Sequence, residues 1–310
     1  MFILNVLGGL CLFLYGINNL SEGLRHAFKK NTDKLLGSRK NVFLCFLSGI
    51  FVTSIIQSSS ATSVMVIALS NGGLISLEQG VGIILGTNIG TTVTTHLLKM
   101  NLKELVLPSI FFGFLINLLG KRSLGDCFMG FGIAFLGINV LHEHLWMLRN
   151  NPAFFNFFVK LSQAPKLALI SGILFTAIFQ SSSAGMGFLI SMIKNNLVDF
   201  NISILIMFGL NIGTCTTAFI ASIQGKKNGK RIALAHFIFN AVGVLIFLLF
   251  FDKFIYTINY ILPQSGVVKK VALAHTLFNV INGLLFLPFV NGFVKMLYVL
   301  IPENKNIFKK

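Results

Sequence analysis

Gln57-Ser58-Ser59-Ser60-Ala61 stands inside one apolar run, and Gln180-Ser181-Ser182-Ser183-Ala184 stands inside another, 123 residues later. The same offset carries Gly86-Thr87-Asn88-Ile89-Gly90-Thr91 onto Gly209-Leu210-Asn211-Ile212-Gly213-Thr214. It also carries Thr94 onto Thr217, Asn117 onto Asn240 and Gly120 onto Gly243. Upstream, Leu14-Tyr15-Gly16-Ile17-Asn18 is echoed by Phe135-Leu136-Gly137-Ile138-Asn139 at an offset of 121. One shared pentapeptide can arise by chance. Several motifs in one order, at nearly one offset, mark a duplication.

The composition says where such a chain lives. Of its 310 residues, 55% are hydrophobic and only 11% are charged, against about 25% charged in soluble domains. Mean hydropathy is +0.82. A soluble fold of this length could not hide that much apolar surface, and a bilayer removes the need to. The net charge of +16 would suggest nucleic acid in a soluble protein. Here the basic residues fall in short segments between apolar runs, a pattern of membrane topology and lipid headgroup contact, with no nucleic-acid partner expected. Cys11, Cys45, Cys127 and Cys215 show no metal or CxxC spacing and read as buried thiols. The first 20 residues read as a membrane helix and not as a removed signal peptide.

Each half reads the same way. A first helix (about 2–24 and 129–146) precedes an apolar stretch interrupted by QSSS (about 41–70 and 166–194). A second interrupted stretch follows, about 79–98 and 201–223, and a further helix, about 106–120 and 232–250, closes the half. A last apolar segment, about 271–293, holds Ala272-Leu273-Ala274-His275-Thr276-Leu277-Phe278-Asn279, an echo of Ala233-Leu234-Ala235-His236-Phe237-Ile238-Phe239-Asn240. The expected units are therefore 1–124, 125–250 and a C-terminal helix with a basic tail, 251–310.

Charge orients the halves. The segment 25–40 holds Arg25, Lys29, Lys30, Lys34, Arg39 and Lys40, whereas its counterpart holds Arg149, Lys160 and Lys166. Conversely, Lys226, Lys227, Lys230 and Arg231 face only Lys99 and Lys103 in the first half. By the positive-inside rule, equivalent loops lie on opposite sides of the membrane, which is an inverted repeat. That requires each QSSS stretch to be a re-entrant hairpin, giving seven crossings and two hairpins. We expect an all-α, multi-pass inner-membrane protein with a cytoplasmic C-terminus and an external N-terminus. Trp146 fits an interfacial anchor.

A run of small hydroxyl residues in hydrocarbon can be helix–helix glue. Its recurrence in both halves favours function. Ser hydroxyls and the free N–H groups of a broken helix suit an anion at mid-membrane, and two tips arriving from opposite sides would surround one site. The expected substrate ligands are Gln57, Ser58, Ser59, Ser60, Gln180, Ser181, Ser182 and Ser183. The Gly-x-Asn-Ile-Gly-Thr segments are expected to be broken helices whose oxygens suit a hard cation such as Na+, by analogy with Ca²⁺ and Mg²⁺. Candidate sodium ligands are Thr62, Ser63, Asn88, Thr91, Thr92, Asn211, Thr214 and Thr216. For Thr94 and Thr217 a Gly/Thr packing face is credible. None of the carboxylates falls in these motifs, which favours sodium over proton coupling and suits an anionic substrate. His236 and His275 each precede an Asn by four residues and read as helix–helix hydrogen-bonding groups. No nucleophile–base pair or metal-binding cluster appears, and neither an enzyme nor a cofactor is expected.

The paired QSSS and G-x-NIGT motifs, followed by the Ala-His-x-x-Phe-Asn helix, resemble the type II sodium/phosphate cotransporter family over essentially the whole chain. The resemblance implies sodium-driven uptake of inorganic phosphate, a substrate and ion site centred on Gln57–Ser60 and Gln180–Ser183, and an elevator-type mobile core moving against a scaffold by alternating access. Many bacterial members carry a C-terminal cytoplasmic regulatory domain, which we do not expect here; the large extracellular loop of animal members is also missing. Ala184-Gly185-Met186 replaces Ala61-Thr62-Ser63, and Leu210 replaces Thr87, so the halves are unequal ligand donors. A transporter of sulfate, arsenate or a small organic acid is the first rival, and a non-transporting membrane scaffold the second. A homodimer is compatible with all of these.

Overall fold

The computed structural model describes residues 2–37, 41–100, 102–149, 156 and 164–303. Arg39, Lys40, Lys160, the tail from residue 304 and the side chain of Trp146 lie outside the described residues. Among the described residues the secondary structure is entirely helical: α1 (Phe2–Gly37), α2 (Val42–Ile56), α3 (Ser59–Asn71), α4 (Leu77–Leu98), α5 (Val106–Leu118) and α6 (Arg122–Arg149) come first. The second half supplies α7 (Pro165–Phe179), α8 (Ser182–Lys194), α9 (Phe200–Gly213), α10 (Cys215–Ser222) and α11 (Lys227–Leu249). The C-terminal part folds as α12 (Phe251–Ile261), α13 (Val267–Phe286) and α14 (Val290–Leu300).

Glycines set how the helices pack. A Cβ on Gly49 would lie 2.1 Å from Ile83 O, one on Gly86 would lie 2.0 Å from Phe46 O, and Gly90 presses on Ile50 and Thr53. These contacts ascend along both helices, so α2 and α4 run parallel and α3 returns between them. With 15 and 13 residues, α2 and α3 reach only about 20 Å each, short of the ~30 Å hydrocarbon core. The second half repeats the pattern: Gly172 meets Ile206 O at 2.2 Å, Gly209 meets Leu169 O at 2.1 Å, and Gly213 meets Ile173 and Thr176. Every one of these pairs obeys the offset of 123 residues.

The first helices of the two halves pack on each other. Gly9 lies against Gly137, Gly16 against Gly130 and Ala134, and Gly23 against Ser123 and Cys127. These contacts descend on one helix as they ascend on the other, so α1 and α6 are antiparallel. They are also reciprocal: Gly9 and Gly16 correspond to Gly130 and Gly137, and each touches the other's counterpart. Of the membrane-length stretches among the described residues, those of α4 and of α9–α10, equivalent in the halves, are the most deeply buried. α5 exposes Leu107, Phe111, Phe112, Phe114 and Leu118, as a lipid-facing helix does.

Among the described residues, six stretches are long and apolar enough to cross a membrane: within α1, α4, α6 and α11, across α9–α10, and across α13–α14. This is a multi-pass membrane protein. Four expectations are corrected. Residues 79–98 are not a broken helix, because α4 is continuous and its glycines serve close packing against α2. In the second copy only Thr214 interrupts the ladder, with φ −57° and ψ −27°, so the chain continues in the right-handed helical region. The segment 25–37 is helix and not loop. Finally, among the described residues the C-terminal part holds three α-helices instead of one; α5, with 13 residues, is shorter than the ~20 of a full span and runs antiparallel to α6, with Gly113 against Gly125 and Gly132 against Val106.

Candidate functional site

Each QSSS motif is a helix end followed at once by a helix start. α2 closes on Gln57 at φ 59° and α7 closes on Gln180 at φ 51°, both left-handed. Their backbone N–H groups donate to Thr53 O at 2.8 Å and Thr176 O at 2.7 Å. The next residue turns extended: Ser58 has φ −144° and ψ 104°, and Ser181 has φ −143° and ψ 105°. Each serine then caps a new helix, accepting from Ala61 N–H at 3.2 Å or Ala184 N–H at 3.1 Å. The N–H groups of Ser59, Ser60, Ser182 and Ser183 have no intrahelical acceptor at such a helix start. A left-handed non-glycine residue costs of order 1–3 kcal/mol; two at equivalent positions mark the tips as built features. A third pair, Gly73 (φ 72°) and Asn196 (φ 52°), ends the two hairpins at the same offset.

Replacing either cap, Ser58→Ala or Ser181→Ala, is expected to lower stability by about 1 kcal/mol. Thermal unfolding in detergent checks this: the glycine variants at the same positions should lose only a few tenths.

The two tips touch. Ser60 Oγ donates to Gln180 O at 3.1 Å and lies 3.4 Å from Thr217 Oγ1. Thr94 Oγ1 donates to Gln57 Oε1 at 2.9 Å, and Gln57 Nε2 donates to Ser54 O. Gln57, Ser59, Ser182 and Ser183 are buried, whereas Gln180 is exposed. No charged residue occurs in 52–66 or 175–189. The donors around the junction are therefore neutral N–H and O–H groups at two helix N-termini, a set that suits an oxyanion. Thr94 and Thr217 are more than packing residues; their shared offset was the signal for it.

The expected cation ligands are dispersed. Thr62 Oγ1 donates to Ser58 O at 3.0 Å and accepts from Thr53 Oγ1 at 3.1 Å. Ser63 Oγ is buried without a partner. Thr91, Thr92 and Thr214 donate to the carbonyls of Thr87, Ile89 and Leu210, and Asn211 donates to Met207 O. Thr216 is half-buried beside them on α10. Asn88 Nδ2 donates to Asn240 Oδ1 at 2.7 Å, and Asn88 Oδ1 lies 3.1 Å from His236 Nε2. His275 Nδ1 lies 2.9 Å from Thr95 Oγ1, so both histidines tie α4 to a neighbouring helix, as expected. The sequence reading missed Thr53, Asn240, Asn279 and Asn282. All four are fully buried, and polar residues inside an apolar span were the available signal.

The halves differ at one spot. Gly185 stands where the first half has Thr62, and a Cβ there would fall 2.3 Å from a methyl of Leu210, the counterpart of Thr87. Leucine fills what threonine occupies in the first half. Thr176, the counterpart of Thr53, is left with a buried, unpartnered hydroxyl.

Comparison with known proteins agrees with these features. The family model described as Na+/Pi-cotransporter matches residues 12–143 and 150–268. The uncharacterized protein YqeW of Bacillus subtilis is 33% identical over 242 residues, covering 77% of this chain and 79% of YqeW. YjbB of Escherichia coli (strain K12), named for a proposed role in inorganic phosphate export, is 25% identical over 272 residues, covering 86% of this chain but only half of YjbB. Human sodium-dependent phosphate transport protein 2B is 36% identical over 90 residues, 27% of this chain and 13% of that protein. No solved structure matches. With the family model spanning both QSSS tips and the helices that hold them, the chain belongs to the Na+/Pi-cotransporter family.

Proposed function

We propose that this protein is a secondary transporter that couples inorganic phosphate to Na+ and binds the phosphate between the two QSSS tips. The observation that carries this reading is the Ser60–Gln180 contact, which joins the two motif copies at one place. Phosphate has four oxygens and no need of a fixed cation if enough N–H and O–H donors converge. The left-handed Gln57 and Gln180 turn the following serines into helix starts, so the donor groups are organised before the ligand arrives.

The reciprocal packing of α1 on α6 supports an inverted relation between residues 1–124 and 125–250, since a two-fold axis makes contacts of that kind. It also supports alternating access, in which a core carrying both hairpins moves against a scaffold. The chain then sits in the inner membrane with its C-terminus cytoplasmic. One relative is named for sodium-dependent phosphate transport and another for phosphate export. A symporter runs down the summed gradient, so direction follows the imposed ions.

Proteoliposomes loaded with radiolabelled phosphate or given it outside test the reading. Phosphate flux is expected to follow a Na+ gradient in either direction and to vanish when choline replaces Na+. The paired change Ser59→Ala with Ser182→Ala is expected to cut flux at least ~10-fold, about 1.4 kcal/mol. Flux indifferent to Na+ would sink the coupling. Equal Na+-driven flux of sulfate, or normal phosphate flux in the paired variant, would remove phosphate from this site.

A further inference from the structure

A second polar centre lies away from the tips, where α13 passes between α4 and α11. Phe247 meets Phe278, a Cβ on Gly243 would lie 2.2 Å from Asn282 Nδ2, and Phe239 meets Phe286. Those contacts run antiparallel. On its other side α13 faces α4, with Thr95 on His275, His96 on Thr276, and Ile89 on Gly283. Asn279 and Asn282 therefore fall at the level of residues 88–92 of α4, where Asn88 bonds Asn240.

The amides at this level are oriented. Asn240 Nδ2 donates to His236 O at 3.0 Å, Asn279 Nδ2 to His275 O at 2.8 Å, and Asn282 Nδ2 to Phe239 O at 3.1 Å. The nitrogens are thus engaged, and the Asn282 amide as a whole lies against Gly243. Asn279 Oδ1 and Asn282 Oδ1 have no hydrogen-bond partner, and both residues are 0% exposed. A buried acceptor left unpaired costs about 1–3 kcal/mol, and two such groups one helical turn apart share one face. No aspartate or glutamate lies on α13, and the only one on α4 or α11 is Glu78, in the first turn of α4. Neutral oxygen donors in a dry place suit a hard monovalent cation; a divalent one would ask for carboxylates.

We propose that the junction of α4, α11 and α13 is a sodium site, with Asn279 Oδ1 and Asn282 Oδ1 as ligands beside the Asn88–Asn240 pair. The proposal rests on sodium coupling and gives it a location distinct from the phosphate tips. Occupancy would bind α13 to α4, the helix whose Thr94 holds Gln57, so the ion would act on the phosphate site through α4.

The test is thermal unfolding of the purified protein in NaCl against choline chloride at one ionic strength, without phosphate, alongside Na+ activation of phosphate flux. The wild-type protein is expected to unfold at a higher temperature in Na+. Asn279→Ala and Asn282→Ala, singly or paired, are expected to abolish that Na+-specific increment and to raise the half-activating Na+ concentration at least ~5-fold with the phosphate KM little changed. Asn279→Asp keeps an oxygen and is expected to retain the increment. Alanine variants that destabilise the protein equally in both salts would show a water-filled or purely structural junction and overturn the proposal. So would a wild-type protein with Na+-driven flux but no Na+ increment. Phosphate flux without any Na+ requirement would instead overturn the coupling on which the site depends.

Discussion

Alanine at Gly86 or at Gly209 is expected to abolish the folded, transporting protein. The added Cβ at Gly86 would sit 2.0 Å from Phe46 O and 2.9 Å from Ile50 N; at Gly209 it would sit 2.1 Å from Leu169 O. These are backbone atoms of a parallel neighbour, and no rotamer change can relieve them. The helices must move apart, which removes packing along their whole length. Overpacking of a side chain alone typically costs 1–3 kcal/mol, occasionally more, and a clash with backbone belongs at or above the top of that range. Function should fail even if folding survives, because α2 and α7 end on Gln57 and Gln180 and a displaced helix carries its tip with it. Gly8→Ala and Gly292→Ala are the controls: nothing lies within 4 Å of either added Cβ, and alanine favours helix by up to about 1 kcal/mol. Size-exclusion profiles and phosphate flux of the four variants check this. A monodisperse, active Gly86→Ala protein would refute the close crossing.

Arg231→Ala is expected to be the most damaging loss of a charged side chain. The sequence places Arg231 in a basic loop, but its side chain is 0% exposed at the start of α11. Its Nε and Nη2 both donate to Ile301 O, at 3.0 and 2.7 Å, and Nη1 donates to Asn228 Oδ1 and Glu303 Oε1. The guanidinium also stacks over Tyr298 at 4.1 Å. Arg231 thus caps the C-terminal end of α14 and fastens it to α11, with the helix dipole adding to the attraction. Removing it leaves Ile301 O without its donors and uncovers the Tyr298 ring; an acceptor left unpaired costs about 1–3 kcal/mol, and the lost packing adds to that. Glu303 is 68% exposed, so its ion pair is worth at most about 1 kcal/mol, and Glu303→Gln should be nearly silent. Arg231→Lys should resemble the alanine variant, since an ammonium cannot fork onto one carbonyl and stack on a ring at once. Unfolding temperature and the rate of proteolysis around α14 give the comparison. Equal effects of Arg231→Ala and Glu303→Gln would show that the ion pair, and not the cap, matters.

The hairpins were legible because their chemistry is local. A glutamine followed by three serines in hydrocarbon cannot continue a helix cheaply, and both copies end α2 and α7 in the left-handed region. The duplication was legible because several motifs recur in one order at an offset of 123 residues, and the glycine contacts obey the same offset. The continuity of α4 was not, since the glycines that invite a break are also the ones that permit close approach, and only the neighbour decides between these uses. Arg231 looked like a solvated charge because the helix that covers it comes about 60 residues later. Asn279 and Asn282 stand out in the sequence only as polar residues in an apolar span; their meaning depends on which nitrogens find a carbonyl.

The exchange of Thr62 and Thr87 for Gly185 and Leu210 has a consequence for how the two halves can change. Leu210→Thr alone would leave a void beside a residue that has no side chain. Gly185→Thr alone would drive its Cβ to within 2.3 Å of the leucine methyl. Both changes together would fill the volume as the first half does and place a hydroxyl by Thr176, as Thr62 stands by Thr53. Each residue of the pair therefore makes a change of the other alone less favourable than the two changes together.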